Sequence, residues 1–187
     1  MEDIKKVSVD LTPKKKKEEN EEKEEKKKPK EKTKRIITIE EKWDFNEEDL
    51  CSSRQLEYIE ELLDDKKKYS KENKYIYQSL KQKLNSYRNQ DQIKDRYVES
   101  EFIKIEEVIE LLKECNNTCF YCKKLVKVLY ELVRDPEQWT LERIDNTIGH
   151  NKGNLTIACL SCNLGRRTMH QNRYVFTKQL NIVKKSG

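Results

Sequence analysis

Apolar residues are scarce in this sequence, and their scarcity excludes several classes of protein. Hydrophobic residues fill 34% of the 187 positions and charged residues fill 40%, so we expect part of the chain to build no core. No apolar run approaches the roughly 18 residues that a membrane-spanning helix needs. The N-terminal region also lacks the apolar segment of a secretory signal peptide. The composition therefore predicts a soluble, intracellular protein of the cytoplasm or nucleus.

A charged, low-complexity segment lies near the N-terminus. Residues 14–34 combine eleven lysines with seven glutamates and contain no aromatic or aliphatic side chain. Such a segment has nothing to bury, and we expect residues 1–35 to form a disordered tail. Its lysines could act as a nuclear localisation signal or as an arm that contacts nucleic acid, but the interleaved glutamates favour a solvated tail. A strand-like run at residues 36–39 could mark the point where order begins.

Cysteine is the residue type with a metal-binding pattern. Four of the six cysteines form two Cys-x-x-Cys pairs, and in a reducing compartment this spacing indicates a metal site and not a disulfide framework. The four are Cys119, Cys122, Cys159 and Cys162. Four thiolates are the number that Zn²⁺ binds in a structural, tetrahedral site, which leaves no position open for water. The alternative is burial as small apolar residues; we assign the four to zinc and regard Cys51 and Cys115 as structural.

Residues 36–114 are predicted to be a helical region. From about residue 47 onward, apolar residues recur at helical spacing in three successive stretches, and Ser52 or Ser53 stands where the first helix would be capped. The third helix is expected to end at Lys113. Tyrosines in this region could stack on nucleic-acid bases, but their spacing favours packing in the core or at its rim. We expect no catalytic chemistry from these helices.

The segment between the two cysteine pairs is predicted to form a β-hairpin. Residues 139–144 and 155–158 are short apolar runs on either side of a polar loop, which indicates two antiparallel strands. Residues 126–132 are apolar enough for a further strand or a short helix. Residues 164–180 are predicted to be helical, with an interruption near residues 169–172. The side chains of this helix that are expected to pack back onto the hairpin are Tyr174, Phe176 and Leu180.

Four short motifs carry a resemblance to a known family. They are Cys119-x-x-Cys122, Leu141-Glu142-Arg143-Ile144-Asp145-Asn146, Gly153-Asn154-Leu155 and Cys159-x-x-Cys162-Asn163. With these motifs, residues 115–180 resemble the HNH (His-Me finger) endonucleases, in the subgroup whose ββα-metal motif is clamped by a four-cysteine zinc site. The resemblance implies an α+β fold with a small ββα-metal finger and a zinc-bound domain over residues 115–187. It also implies Mg²⁺- or Mn²⁺-dependent hydrolysis of phosphodiester bonds in DNA.

The resemblance assigns roles to single residues. In the family, the first strand supplies an Asp that binds metal and a His that acts as base; an Asn pins the loop, and the next helix adds a metal ligand. Asn154 matches the loop position and Asn163 the helix position, where an amide oxygen suits a hard cation. Glu142 and Arg143 replace the Asp-His pair, as in an Asp-Arg-Ile-Asp-Asn-like variant of the motif. Glu142 can still bind metal, whereas Arg143 does not lose its proton and is assigned to hold a phosphate.

The general base therefore has two candidates near the hairpin. His150 is one of only two histidines, and a reference pKa of about 6.5 suits a base at neutral pH. Asp145 lies two residues beyond Arg143. Each has a simpler alternative, because His150 could be an exposed loop residue and Asp145 could cap the loop with its carboxylate.

Basic residues are concentrated where a nucleic acid would bind. Residues 143–187 hold eight lysines and arginines against one aspartate, which favours a phosphate-backbone partner over solvated surface charge. The residues assigned to this contact are Lys152, Arg166, Arg167 and Arg173. The sequence does not distinguish DNA from RNA. Two other functions stay open: a catalytically inactive, zinc-dependent nucleic-acid-binding module and, less favoured by the basic charge, a zinc domain that binds protein.

Overall fold

A computed structural model describes residues 44–64 and 70–179. The predicted tail and the strand-like run at residues 36–39 lie outside these ranges and stay predictions. Within the ranges, helices pack with one two-stranded antiparallel sheet, and four cysteines cluster at the sheet. The fold is therefore a mixture of helices and a small sheet, as the α+β prediction requires. No helix in those ranges has the length and apolar character needed to cross a membrane.

In the described part of the chain, three α-helices precede the sheet, as the apolar spacing predicts. They are α1 (Ser52–Leu63), α2 (Lys71–Ile93) and α3 (Ile105–Glu114). Ser70 caps α2, because its side chain accepts a hydrogen bond from the backbone N–H of Asn73 at 3.1 Å. The expected serine cap of α1 is wrong, because Cys51 occupies the N-cap position and its side chain makes no capping hydrogen bond.

The predicted hairpin is present and leads directly into a helix. The elements are β1 (Trp139–Arg143), β2 (Leu155–Cys159), α4 (Leu160–Arg166) and α5 (Gln171–Gln179). The strands pair antiparallel, with Trp139 opposite Cys159 and Arg143 opposite Leu155. After α4 the chain turns at Arg167, whose φ of 53° lies in the left-handed region. The strands are confirmed to within one residue at each end, and the final helix is interrupted as predicted, although it begins earlier.

The prediction of a strand or short helix at residues 126–132 is wrong. This segment is irregular, although Val128 and Leu129 are fully buried. A side chain satisfies its backbone, because Gln55 Oε1 accepts hydrogen bonds from the N–H groups of Val128 and Leu129, both at 2.9 Å. Gln55 lies on α1 and also donates to the Leu129 carbonyl at 3.2 Å. The buried side-chain amide of Gln55 thus makes the backbone hydrogen bonds that a helix or strand would otherwise supply to this segment.

The helices and the hairpin share one hydrophobic core. Leu80 from α2 and Trp139 from β1 are both fully buried in it. Tyr174 packs on this core, but the same prediction for Phe176 is wrong, because its side chain is 65% exposed. Leu180 lies outside the described residues. Because one core joins the two parts, α2 can bring side chains to the hairpin.

Candidate functional site

The four predicted metal ligands lie together. The Sγ atoms of Cys119, Cys122, Cys159 and Cys162 are all within 4.8 Å of one another, and those of Cys122 and Cys159 are 3.9 Å apart. A tetrahedral site with Zn–S bonds of about 2.3 Å places its sulfurs roughly 3.8 Å apart, so the cluster needs little rearrangement to close on an ion. These cysteines form a site that could bind a metal such as zinc.

Local backbone structure holds both cysteine pairs. The first pair lies in a turn beyond α3, where the Cys119 N–H donates to the Lys124 carbonyl and the Phe120 N–H donates to the Ile157 carbonyl, both at 2.8 Å. The second pair spans the end of β2 and the first turn of α4. Because Ile157 belongs to β2, the turn is fastened to the strand that carries the second pair.

Burial and close contacts between sulfur atoms shift the pKa values of three of the four thiols. The contact with Cys159, helped by burial, raises the pKa of Cys119. The same contact and the Ser161 hydroxyl lower the pKa of Cys159 to about 4. Burial and the neighbouring sulfurs raise the pKa of Cys162 to about 11. A divalent cation would stabilise all four thiolates, so metal binding should release protons.

A cleft of about 270 Å³ opens at the other end of the hairpin. Its walls come from α2, β1, the hairpin loop, α4 and the residue after α4. The lining residues are Tyr87, Gln90, Leu141, Glu142, Arg143, Asn146, His150, Asn163, Leu164 and Arg167. The cleft therefore gathers four of the six predicted catalytic residues, namely Glu142, Arg143, His150 and Asn163.

Glu142 and Arg166 form a buried ion pair beside the cleft. Glu142 is 4% exposed, and it pairs with the guanidinium of Arg166, which is 2% exposed. Arg166 also donates to the carbonyl oxygens of Ile144 and Met169, each at 2.8 Å. Burial raises the pKa of Glu142, and the Arg166 contact opposes that shift. Arg166 is predicted to contact a phosphate, but in the structure its guanidinium donates its hydrogen bonds to groups inside the protein.

His150 lies in the cleft wall and is only 4% exposed. Its Nδ1 is 3.0 Å from both carboxylate oxygens of Asp91, and its backbone N–H donates to Asp91 Oδ2 at 2.6 Å. The Tyr87 ring stacks on the imidazole, with ring centres 4.5 Å apart. Burial lowers the pKa of His150, and the Asp91 contact opposes that shift. The structure therefore contradicts the alternative of an exposed loop histidine.

Arg143 and Asn163 also line the cleft. Arg143 donates to the Ile148 carbonyl at 3.0 Å and lies 4.0 Å from the Asp91 carboxylate. Asn163, half-buried on α4, donates through its amide to the Thr140 hydroxyl at 3.1 Å. Because this contact uses the NH₂ group, the amide oxygen of Asn163 keeps its capacity to bind a ligand.

Asn154 makes the contacts that a loop-pinning residue requires. Its amide donates to the carbonyls of Asp145 and Gly149 at 3.0 and 3.1 Å, and its Oδ1 accepts from the Asp145 N–H at 2.9 Å. Asp145 is exposed, and its carboxylate accepts from the Thr147 N–H and hydroxyl at 2.8 and 2.7 Å. These contacts lower the pKa of Asp145. Asp145 thus caps the loop, and it does not line the cleft.

The other predicted nucleic-acid contacts are exposed basic side chains. Arg167 lines the cleft and is exposed. Lys152 is 73% exposed and pairs with Glu107 of α3 at 2.6 Å. Arg173 is exposed on α5. These three side chains remain accessible to a phosphate backbone, in contrast to Arg166.

Tyr87 and Asp91 come from a helix for which the sequence predicts no chemistry. They stand in the polar stretch SYRNQDQ, where the sequence pattern does not distinguish the buried aspartate from the exposed amide side chains around it. Their spacing of four residues predicts a shared helix face. It does not predict that this face meets His150, which lies 59 residues beyond Asp91.

Comparison with known proteins adds no family assignment. No protein-family model, curated protein or solved structure matches the chain. The likeness to HNH endonucleases therefore rests on the sequence motifs alone.

Proposed function

We propose that this protein is an HNH-type endonuclease, which hydrolyses phosphodiester bonds in DNA with the help of a divalent cation. One observation carries the proposal: Glu142, His150 and Asn163 line the same cleft at one end of the hairpin. A carboxylate, an imidazole and an amide oxygen are groups that metal-assisted phosphodiester hydrolysis can use side by side. The four-cysteine cluster at the other end supports the same family.

In this proposal the four cysteines bind a structural Zn²⁺. Four sulfur ligands fill a tetrahedral shell and leave no position for water or substrate. They come from the turn after α3, the end of β2 and the start of α4. Bound in this way, the cysteines would hold the hairpin and α4 in the relative positions that the cleft requires.

Glu142 and Asn163 are the proposed ligands of a catalytic Mg²⁺ or Mn²⁺. Both offer oxygen atoms, which hard cations prefer, and Mg²⁺ is commonly held by one or two carboxylates together with water and substrate phosphate. Arg166 bonds to one oxygen of Glu142, which fixes the carboxylate without using all of its lone pairs. When bound, the cation would stabilise the charge that develops on the scissile phosphate.

His150 is the proposed general base. Burial lowers its pKa, which favours the neutral imidazole that can take a proton from an attacking water at neutral pH. Arg143 cannot do so, because a guanidinium stays protonated. Arg143 and Arg167 line the same cleft and are the proposed phosphate contacts.

Charge supports a polyanionic substrate. Eight lysines and arginines stand against one aspartate in residues 143–187, and neutralising phosphates is the main source of sequence-independent affinity for nucleic acid. Lys152, Arg167 and Arg173 are the exposed basic residues proposed to follow the backbone. We assign DNA from the family resemblance, with RNA as the rival substrate in the assay.

Cleavage of supercoiled plasmid tests the proposal. The purified protein should nick or linearise the plasmid with Mg²⁺ or Mn²⁺ and should leave it intact with EDTA. His150→Ala should lower the rate roughly 10²–10⁴-fold, the usual effect of losing a general base, with DNA affinity unchanged. His170→Ala is the matched control, because the other histidine is exposed and does not line the cleft. Preferential cleavage of an RNA of the same sequence would show that the substrate is RNA and not DNA.

A second candidate function is nucleic-acid binding without cleavage. Arg143 favours it, because a residue that cannot accept a proton stands where the family resemblance expects the base. A binding module would retain DNA in a salt-dependent manner and leave plasmid intact with every metal tested. Metal-dependent nicking that is lost in Glu142→Gln would exclude this function.

A further inference from the structure

We propose that Asp91, on helix α2, is the positioning residue for His150: it holds the imidazole as the Nδ1–H tautomer and leaves Nε2 able to accept a proton. The inference rests on the proposed endonuclease function, although its geometric part can be tested without cleavage. Asp91 lies outside the hairpin and outside every motif that carries the family resemblance. The proposal therefore extends the active site into the helical region.

The Asp91 carboxylate contacts His150 through both of its oxygens. Asp91 is 1% exposed, its two oxygens each lie 3.0 Å from Nδ1, and Oδ2 also accepts the His150 backbone N–H at 2.6 Å. An ionised carboxylate only accepts hydrogen bonds, so the proton in the side-chain contact belongs to Nδ1. In a neutral imidazole, Nε2 then carries the lone pair that a general base needs.

Close packing between the loop and α2 fixes this contact. A Cβ added at Gly149 would lie 2.4 Å from the Arg96 carbonyl oxygen and 2.9 Å from Asp91 Oδ2. Only a residue without a side chain lets the loop approach the end of α2 this closely. This close approach of the loop to α2 therefore holds both the backbone and the ring of His150 against Asp91.

The other groups around the imidazole cannot select its tautomer. Tyr87 covers one ring face, and its hydroxyl accepts the Leu141 N–H at 3.2 Å. Arg143 from β1 and Lys94 at the end of α2 are the cations close enough to influence the ring, and neither has an acceptor for Nδ1–H. Among the described residues, Asp91 alone is hydrogen-bonded to a ring nitrogen of His150.

Nitrogen-15 NMR of the full chain, labelled in histidine, tests the tautomer directly. The chain has two histidines, so His170→Ala assigns the two imidazole signals. At neutral pH and without added Mg²⁺, His150 should give the Nδ1–H pattern with an unprotonated Nε2. An Nε2–H tautomer in the wild-type protein would overturn the proposal, whether or not Asp91→Asn folds.

Asp91→Asn tests the consequence for catalysis. The substituted amide can donate to Nδ1, so the ring should shift to the Nε2–H tautomer. The kcat should fall by about 10²-fold or more, as when a base carries the wrong tautomer, with little change in KM. The acid limb of the pH–rate profile should move to lower pH, because the charge of Asp91 raises the pKa of His150.

Asp95→Asn is the matched control. Asp95 is exposed just beyond the end of α2 and has a φ of 53°, a conformation that asparagine adopts readily. This variant should leave the tautomer, kcat and pH profile unchanged.

Three results separate the proposal from its rivals. A folded Asp91→Asn protein that keeps the Nδ1–H tautomer and the wild-type kcat would overturn it. Lower thermal stability with tautomer and kcat unchanged would make Asp91 a purely structural residue, and the proposal would fail. If the wild-type protein never cuts DNA but loses the Nδ1–H tautomer in Asp91→Asn, the endonuclease function is wrong and the Asp91–His150 assignment stands.

Discussion

The cysteine cluster and the cleft lie at opposite ends of one hairpin, and they are built in different ways. The cluster comes from two short motifs, and each motif closes in a local turn. The cleft depends on residues far apart in the sequence, such as Asp91 and His150, which are 59 positions apart. The first site could be completed by a metal ion, whereas the second is formed by the packing of a helix on a loop. The two should therefore fail under different perturbations.

The two ends also differ in how they balance charge. The cluster brings four groups of the same kind together, and a bound cation would balance the negative charge of their thiolates. The cleft end carries its own opposite charges, with Glu142 against Arg166 and Asp91 close to Arg143. Metal removal should thus lower stability through the cluster, whereas removal of one partner of a charge pair should lower stability through the cleft end.

The largest effect is expected at the cysteine cluster. We predict about one zinc per chain and loss of cooperative unfolding after chelation or in Cys159→Ser, because metal binding in small zinc sites contributes folding free energy on the order of 10 kcal/mol. Elemental analysis and thermal unfolding by circular dichroism measure both. Cys51→Ser is the control, because Cys51 is exposed and outside the cluster. A well-folded preparation without metal would contradict the assignment.

The next largest effect is expected at the cleft end, in Arg166→Met. Removing this guanidinium leaves the buried Glu142 without its partner, which should lower the free energy of unfolding by about 3–5 kcal/mol. The matched control is Arg167→Met, at an exposed neighbour, and urea unfolding measures both. Adding Glu142→Gln to Arg166→Met should recover part of the loss in a double-mutant cycle. Equal losses at the two arginines would refute the structural role of Arg166.

A smaller effect is expected where the loop meets α2. Gly149→Ala should lower the free energy of unfolding by about 1–3 kcal/mol, the usual cost of overpacking, because its Cβ would meet the Arg96 carbonyl. The zinc content should not change, which separates this end from the cluster. Gly153→Asn is the control, since a Cβ there meets nothing within 4 Å and asparagine tolerates a positive φ. A loss of zinc in Gly149→Ala would show that the two ends are coupled.

The contrast between the two ends also explains what the sequence can predict. The cysteine cluster and the strands follow from local spacing, and Asn154 pins its loop through contacts with residues at most nine positions away. Gln55 and Asp91 could not be predicted, because a polar residue on a polar helix has the same local pattern whether it is buried or exposed. Their partners lie 73 and 59 positions away. Only tertiary packing decides which polar side chain is enclosed.

The smallest effect is expected from mild acidification, and it reports on the cleft through His150. Burial lowers the folded-state pKa of His150, so the unfolded state binds a proton more readily than the folded state. The contribution of His150 to the free energy of unfolding is then fully present above its unfolded-state pKa of about 6.5, and it is lost as the pH falls through its folded-state pKa. The free energy of unfolding should fall from about pH 7 to about pH 5 more steeply in the wild-type protein than in His150→Gln. The difference between the two urea-unfolding curves isolates the imidazole, because protonation of the cysteine cluster is common to both proteins.

His170→Gln, at the exposed histidine, should follow the wild-type curve. Parallel curves for the wild-type protein and His150→Gln would mean that the imidazole titrates alike in the folded and unfolded states, which a ring enclosed by Asp91 and Tyr87 should not do.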